Sequence, residues 1–182
     1  MTRLVTFSLV LFTSAIPARA DEESQPHAYV KGSQDGRYYF RMVPDPSGDR
    51  DKGRVTGYEV KGDGPDATLW TLDGLYAFEA SLSYDGRYLA ALGNWPRGHK
   101  PHESHTAIAF YDRGKLLKRY STKDLIKDAA QVQPSVSHYQ YKKRVPGFPA
   151  YAYVFELVTI DGISYTFDVR DGRIVSQRKV DP

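Results

Sequence analysis

Ser33-Gln34-Asp35-Gly36-Arg37-Tyr38 returns fifty positions later as Ser83-Tyr84-Asp85-Gly86-Arg87-Tyr88, with five of the six residues identical. In each copy Asp-Gly, the pair that best tolerates the positive φ angles of a tight turn, stands directly before a run of strand-forming residues. A chain that repeats such a corner reverses direction in the same way twice, which points to consecutive units of antiparallel sheet. The phrase describes an architecture and carries no chemistry.

The pattern around the two corners agrees with short strands separated by turn residues. Residues 38–43 alternate Tyr38, Phe40 and Met42 against Tyr39, Arg41 and Val43, then stop at Pro44-Asp45-Pro46-Ser47-Gly48. Residues 54–60 and 67–71 read as the next pair. Residues 76–82 have a clean period of two, with Tyr76, Phe78, Ala80 and Leu82 on the side expected to meet a core. A strand over 88–92 leads into a long loop that runs to His105. Residues 106–111 and 115–120 flank Asp112-Arg113-Gly114, a three-residue hairpin connection. Ser121 with Asp124 three residues on predicts a helix start and one short helix from Thr122 to about Ala129. Residues 151–160, 164–169 and 173–179, separated by Asp161-Gly162 and Asp171-Gly172, predict a three-stranded antiparallel meander.

The first twenty residues read as a signal peptide. Arg3 supplies a positive start, residues 4–12 a short apolar stretch, and Ala18-Arg19-Ala20 a small-x-small cleavage site before Asp21. That stretch is too short for a stable membrane span, so the expectation is a secreted or periplasmic chain, 21–182, folded as a single mostly β domain. Losing Arg3 and Arg19 takes the formal charge from +3 to about +1, which argues against nucleic acid as a partner. The chain has no cysteine, so disulfides, thiolate metal sites and thiol nucleophiles are excluded, and the domain is held by core burial alone.

Ser-x-Asp-Gly-Arg-Tyr followed by apolar residues resembles the strand-turn phrase of TolB-type β-propeller repeats, relatives of the WD-repeat class. The resemblance implies that Ser33, Asp35, Gly36, Ser83, Asp85 and Gly86 are structural turn residues that brace the corner through nearby backbone groups. Blade-sized spacing fits, but closed propellers need roughly four or more blades, and this chain holds about three units of about fifty residues. A third candidate corner, Thr159-Ile160-Asp161-Gly162, lacks the leading Ser and the Arg. The expectation is an antiparallel meander of propeller-blade-like repeats, too short for a normal closed propeller, with one short helix. The whole chain also resembles small exported bacterial proteins, a likeness that carries no activity with it.

Three of the five histidines, His99, His102 and His105, fall within seven residues of the long loop. Imidazoles can ligate zinc or copper, and Glu103 can add an oxygen, but three-residue spacing on an extended chain puts neighbours on opposite sides. Trp95, between Asn94 and Pro96, is the aromatic residue most suited to a surface role. Glu79 and Glu156 lie within strand patterns, where an ion pair or an exposed position explains a carboxylate. No Gly-x-Ser-x-Gly, Ser-x-x-Lys or phosphate-cradling glycine loop occurs. These residues favour a non-catalytic binding or interaction module, without a cofactor, whose partner is a protein or small ligand, with a homodimer as a way to complete sheet edges. The alternative is a small zinc- or copper-dependent enzyme, or a metal-binding protein, built on His99, His102 and His105.

Overall fold

A computed structural model describes residues 24–49, 51–143 and 146–180. The expected leader and its cleavage point lie outside the described residues. Strands β1 (Tyr29–Gly32), β2 (Tyr38–Pro44), β3 (Gly53–Glu59) and β4 (Ala67–Asp73) form an antiparallel sheet in chain order. Strands β5 (Ala80–Leu82), β6 (Tyr88–Leu92), β7 (Thr106–Asp112) and β8 (Lys115–Ser121) repeat that order in a second sheet. A two-stranded ribbon of β9 (Gln133–Pro134) and β10 (Tyr139–Gln140) precedes the third sheet, β11 (Val154–Val158), β12 (Ile163–Asp168) and β13 (Arg173–Lys179). Among the described residues the fold is therefore mostly β, a row of blade-like meanders with one short helix and no closed barrel.

The middle sheet is the keel. Every residue of β6 is buried because its alternating side chains serve two cores. Leu89 and Ala91 pack toward the first sheet with Phe40, Met42, Val55 and Trp70. Tyr88, Ala90 and Leu92 pack toward the third with Ile108, Phe110, Phe155, Leu157 and Phe167. Each large side chain buried in this way contributes roughly 1.5–3 kcal/mol. Gly57 pairs with Trp70 across β3 and β4, and a β-carbon there would meet the indole at 2.4 Å. The bare glycine lets the ring lie flat and aim its Nε1 proton at the carbonyl of Gly86, 2.8 Å away in the neighbouring sheet's corner.

Both copies of the repeated phrase join the first strand of a sheet to the second, so they occupy equivalent corners. Thr159-Ile160-Asp161-Gly162 does not. Bridges from Lys142 to Thr159 and from Gly147 to Glu156 run along the other edge of β11, which makes the Thr159 turn the second connection of its sheet. The first connection is the stretch around Tyr151 and Tyr153, whose rings pack on Tyr84 of the second corner.

Three expected elements are shorter than the sequence predicts: the strand expected over 151–160 is regular only over Val154–Val158, and in the other two a side chain has captured backbone amides. Over residues 76–79 the expected alternation fails, since Tyr76 and Ala77 are both buried and Phe78 is only half-buried; the Phe78 amide donates to Asn94 Oδ1 at 3.0 Å, and the regular strand is only Ala80–Leu82. The helix opens with the expected capping box of Ser121 and Asp124 and ends at Leu125. The amides of Lys127 and Asp128 donate instead to Asp161 Oδ2 at 2.7 and 3.1 Å, and a separate 3-10 turn follows at Ala129–Gln131.

Candidate functional site

The long loop is fastened to its surroundings along its length. Asn94 anchors its start: Nδ2 donates to the Tyr76 carbonyl at 2.9 Å and to Asp51 Oδ1 at 3.2 Å, while Oδ1 receives the Phe78 amide. Gly98 donates to the Ser137 carbonyl at 2.9 Å, and Arg97 and His138 form an antiparallel bridge. The Trp95 ring packs on His138 with centroids 4.0 Å apart. At the far end, Thr122 accepts the His102 amide at 3.1 Å and donates to the His102 carbonyl at 3.2 Å.

The three histidines part company in this setting. His99 is exposed, with Nε2 3.4 Å from the Val136 carbonyl. His102 Nδ1 lies 2.8 Å from the Ser104 hydroxyl. His105 Nδ1 lies 2.9 Å from the Tyr139 hydroxyl, which is itself 2.6 Å from Thr122 Oγ1. Only His102 and His105 come together, with ring centroids 5.5 Å apart. Among the described residues no group of three or more His, Asp or Glu side chains could hold a metal ion. Burial and the neighbouring His102 hold the His105 imidazole below its ordinary pKa.

Neither strand carboxylate stands ready for acid-base work. Glu79 is paired with Lys142, and Glu156 is exposed on the outward side of β11. Lys31, at the inner edge of the first sheet, donates to the Ala80 carbonyl at 2.8 Å, and burial lowers its pKa.

What the loop builds is a pair of clefts that share Trp95. The larger, of about 470 Å³, lies between the first sheet's connections and the loop, with Asp51, Tyr76, Trp95, Arg97, His105, Tyr111 and Arg119 in its lining. Its base includes Ala91 and Ala109, which sit opposite each other on β6 and β7, and Ala109 in turn sits opposite Arg119 on β8. The smaller, of about 280 Å³, is lined by Phe78, Trp95, His138, Tyr139 and Tyr141. Trp95 was legible as a surface candidate from its place in the loop. Arg97, Tyr111, Arg119 and Asp51 carry no motif. The small alanines at alternate positions of neighbouring strands were the available signal, but two register shifts between β7 and β8 hide which residues face Arg119.

No family model and no curated protein matches the chain. Among solved structures it is similar to U3-55K at 13% identity and a TM-score of 0.45, covering 87% of this chain and 41% of that one. It is similar to HIRA(644-1017) at 12% identity and a TM-score of 0.49, covering 90% and 42%, and to the Cps50 (Swd1) β-propeller domain of Myceliophteria thermophila at 14% and 0.34, covering 88% and 59%. The chain spans about half the length of these structures, all of them WD-repeat β-propeller proteins. With every TM-score below 0.5 they add no weight of their own, and the blade-like description rests on the sheet order.

Proposed function

We propose that the protein is an exported, non-catalytic binding module that presents the loop 94–105 and the two clefts flanking Trp95 to a small ligand or a partner protein. The observation that carries this reading is Asn94. Its side chain ties the loop to the connections before β5 through three hydrogen bonds, which fixes the walls of a cleft in advance of any ligand and lowers the ordering cost of binding. Several polar side chains around the clefts are engaged in structural contacts, Asp51 with Asn94, His105 with Tyr139, and the Tyr141 hydroxyl with the Ala107 carbonyl. A two-dimensional amide NMR screen against mixtures of small acids, sugars and peptides tests it. The expected result is shifts concentrated at residues 74–76, 94–97 and 104–106 with every compound recovered unchanged. Chemical conversion of a compound, or shifts confined to other parts of the molecule, would overturn it.

The approach of His102 and His105 supports a second reading, a zinc- or copper-binding loop. Equilibrium dialysis of the protein against zinc or copper decides it, since stoichiometric uptake that His105→Ala abolishes supports a metal site and no uptake removes it. Val30 and Leu69 are 60% and 41% exposed on β1 and β4, the two edge strands of the first sheet, and a second copy of the chain pairing at a sheet edge would cover one of them. Sedimentation of the processed chain distinguishes monomer from dimer.

A further inference from the structure

We propose that the larger cleft binds a saccharide, with the Trp95 ring against the C–H face of the sugar and Asp51, His105, Tyr111 and Arg119 pairing with its hydroxyls. The inference rests on the binding-module reading and narrows it to one class of ligand.

Four polar side chains of the lining keep hydrogen-bonding capacity that no described residue uses. Tyr111 is half-buried on β7, yet among the described residues its hydroxyl has no partner and is not sealed from solvent. His105 spends Nδ1 on the Tyr139 hydroxyl and keeps Nε2. Asp51 lends Oδ1 to Asn94 and keeps Oδ2. Arg119, exposed on β8, makes no ion pair among the described residues. Tyr111 and Arg119 share one neighbourhood: burial raises the pKa of the phenol, and the guanidinium opposes that rise. The phenol therefore stays a neutral hydroxyl at ordinary pH.

The mixture of donors and acceptors selects the ligand. Arg119 only donates, an ionised Asp51 only accepts, and the Tyr111 hydroxyl and the His105 imidazole do either. The chain from His105 through Tyr139 to Thr122 runs in either direction, because either oxygen of its 2.6 Å contact can donate. Nε2 thus meets a ligand as an N–H or as a lone pair. A hydroxyl donates and accepts at one atom, so a ligand built of hydroxyls satisfies all four groups. An anion would suit Arg119 and meet Asp51 as a like charge, and a cation would do the reverse. The match lies in neighbouring donors and acceptors and does not depend on the net charge of the cleft. A peptide amide divides its donor and acceptor between two atoms that point opposite ways. A sugar ring, in contrast, joins a rim of hydroxyls to an apolar face, for which the half-buried Trp95 supplies aromatic surface. Ala91 and Ala109, opposite each other on β6 and β7, keep the base of the cleft low.

Titrating the hexose disaccharides cellobiose, maltose and gentiobiose into the protein, beside the uncharged capped dipeptide N-acetyl-alanyl-alaninamide, tests the proposal by amide NMR. At least one disaccharide is expected to shift residues 94–97 and 109–111 and to bind roughly tenfold more tightly than the dipeptide. Tyr111→Phe removes a hydroxyl and keeps the packed ring, and is expected to weaken that sugar roughly fivefold. Arg119→Leu is expected to weaken it roughly tenfold, since the lost donor is charged. Lys115→Gln, at the start of β8, is expected to change nothing. A tetrasaccharide of the same linkage identifies the source: tighter binding points to a polysaccharide or glycan chain, equal or weaker binding to a free sugar, and either supports the site. No binding of any disaccharide, a dipeptide that binds as tightly as the best of them, or unchanged sugar affinity in either Tyr111→Phe or Arg119→Leu would overturn the saccharide assignment and leave the binding module standing. Hydrolysis of a sugar, or shifts confined to residues remote from the cleft, would overturn the binding-module reading itself.

Discussion

In the first corner Ser33 Oγ donates to Asp35 Oδ1 at 2.8 Å and receives the Tyr38 amide at 3.1 Å, and in the second Ser83 Oγ donates to Asp85 Oδ1 at 2.5 Å and receives the Tyr88 amide at 2.9 Å. Gly36 and Gly86 take φ angles of 72° and 71°. The internal chemistry of the two turns is the same, but their surroundings are not. The first corner is largely solvated, with open space where a Gly36 β-carbon would project, and Arg37 folds back on its own Asp35. The second is wedged between two sheets. Tyr38 presses on Gly86, the Trp70 indole donates to its carbonyl, the Tyr153 hydroxyl donates to Asp85, and Arg87 reaches across to Asp112 with two hydrogen bonds of 2.7 Å. One local sequence thus makes a corner by itself, and neighbouring sheets turn that corner into a fastening.

The sharpest way to break this contrast is to remove the indole that ties the first sheet to the second corner. Trp70→Ala is expected to cost about 4 kcal/mol, through lost burial, a cavity over Gly57 and an unpaired Gly86 carbonyl. Urea unfolding measures it. Next come the glycines. Gly86→Ala puts a methyl group into Tyr38 as well as straining a left-handed residue, for an expected loss of about 3 kcal/mol, whereas Gly36→Ala carries the strain alone, about 1 kcal/mol. Equal losses in the same urea assay would mean that the second corner is not wedged. Ser83 is fully buried and Ser33 nearly so, so Ser83→Ala is expected to cost about 2 kcal/mol and Ser33→Ala about 1 kcal/mol, each leaving a tyrosine amide without its acceptor.

The smallest effect separates the two arginines. Arg87→Met is expected to lower the melting temperature measurably and Arg37→Met to leave it unchanged, since an exposed pair within one turn contributes little. Acid adds a sign to this. The Arg87 guanidinium beside Asp112 holds its carboxyl below the usual range, so the pair's contribution is fully present above the unfolded value, about 3.9, and is lost as the pH falls through the lower folded value. In Arg87→Met the acid unfolding transition is expected to shift to higher pH.

Much of the fold could be read from local chemistry. Asp-Gly corners, the capping box at Ser121 and Asp124, and the alternation of Phe40 with Met42 each depend on residues close in sequence, and each appears where expected. What could not be read depends on distant partners. Nothing near Phe78 announces that Asn94 takes its amide, and nothing near Lys127 announces that Asp161 ends the helix. The candidate site divides in the same way. Trp95 and the histidines stand out in one loop, but the cleft needs Asp51 from the connection after β2, Tyr111 from β7 and Arg119 from β8 in a register that bulges conceal.

Amide hydrogen exchange at Tyr38 and Tyr88 in the unmodified protein separates a wedged corner from a solvated one, because both amides donate to the serine of their own corner and only their surroundings differ. Tyr88 is expected to exchange at the rate set by global unfolding and Tyr38 at least roughly tenfold faster, through local opening of the solvated corner. Equal protection at the two positions, or free exchange at both, would contradict it.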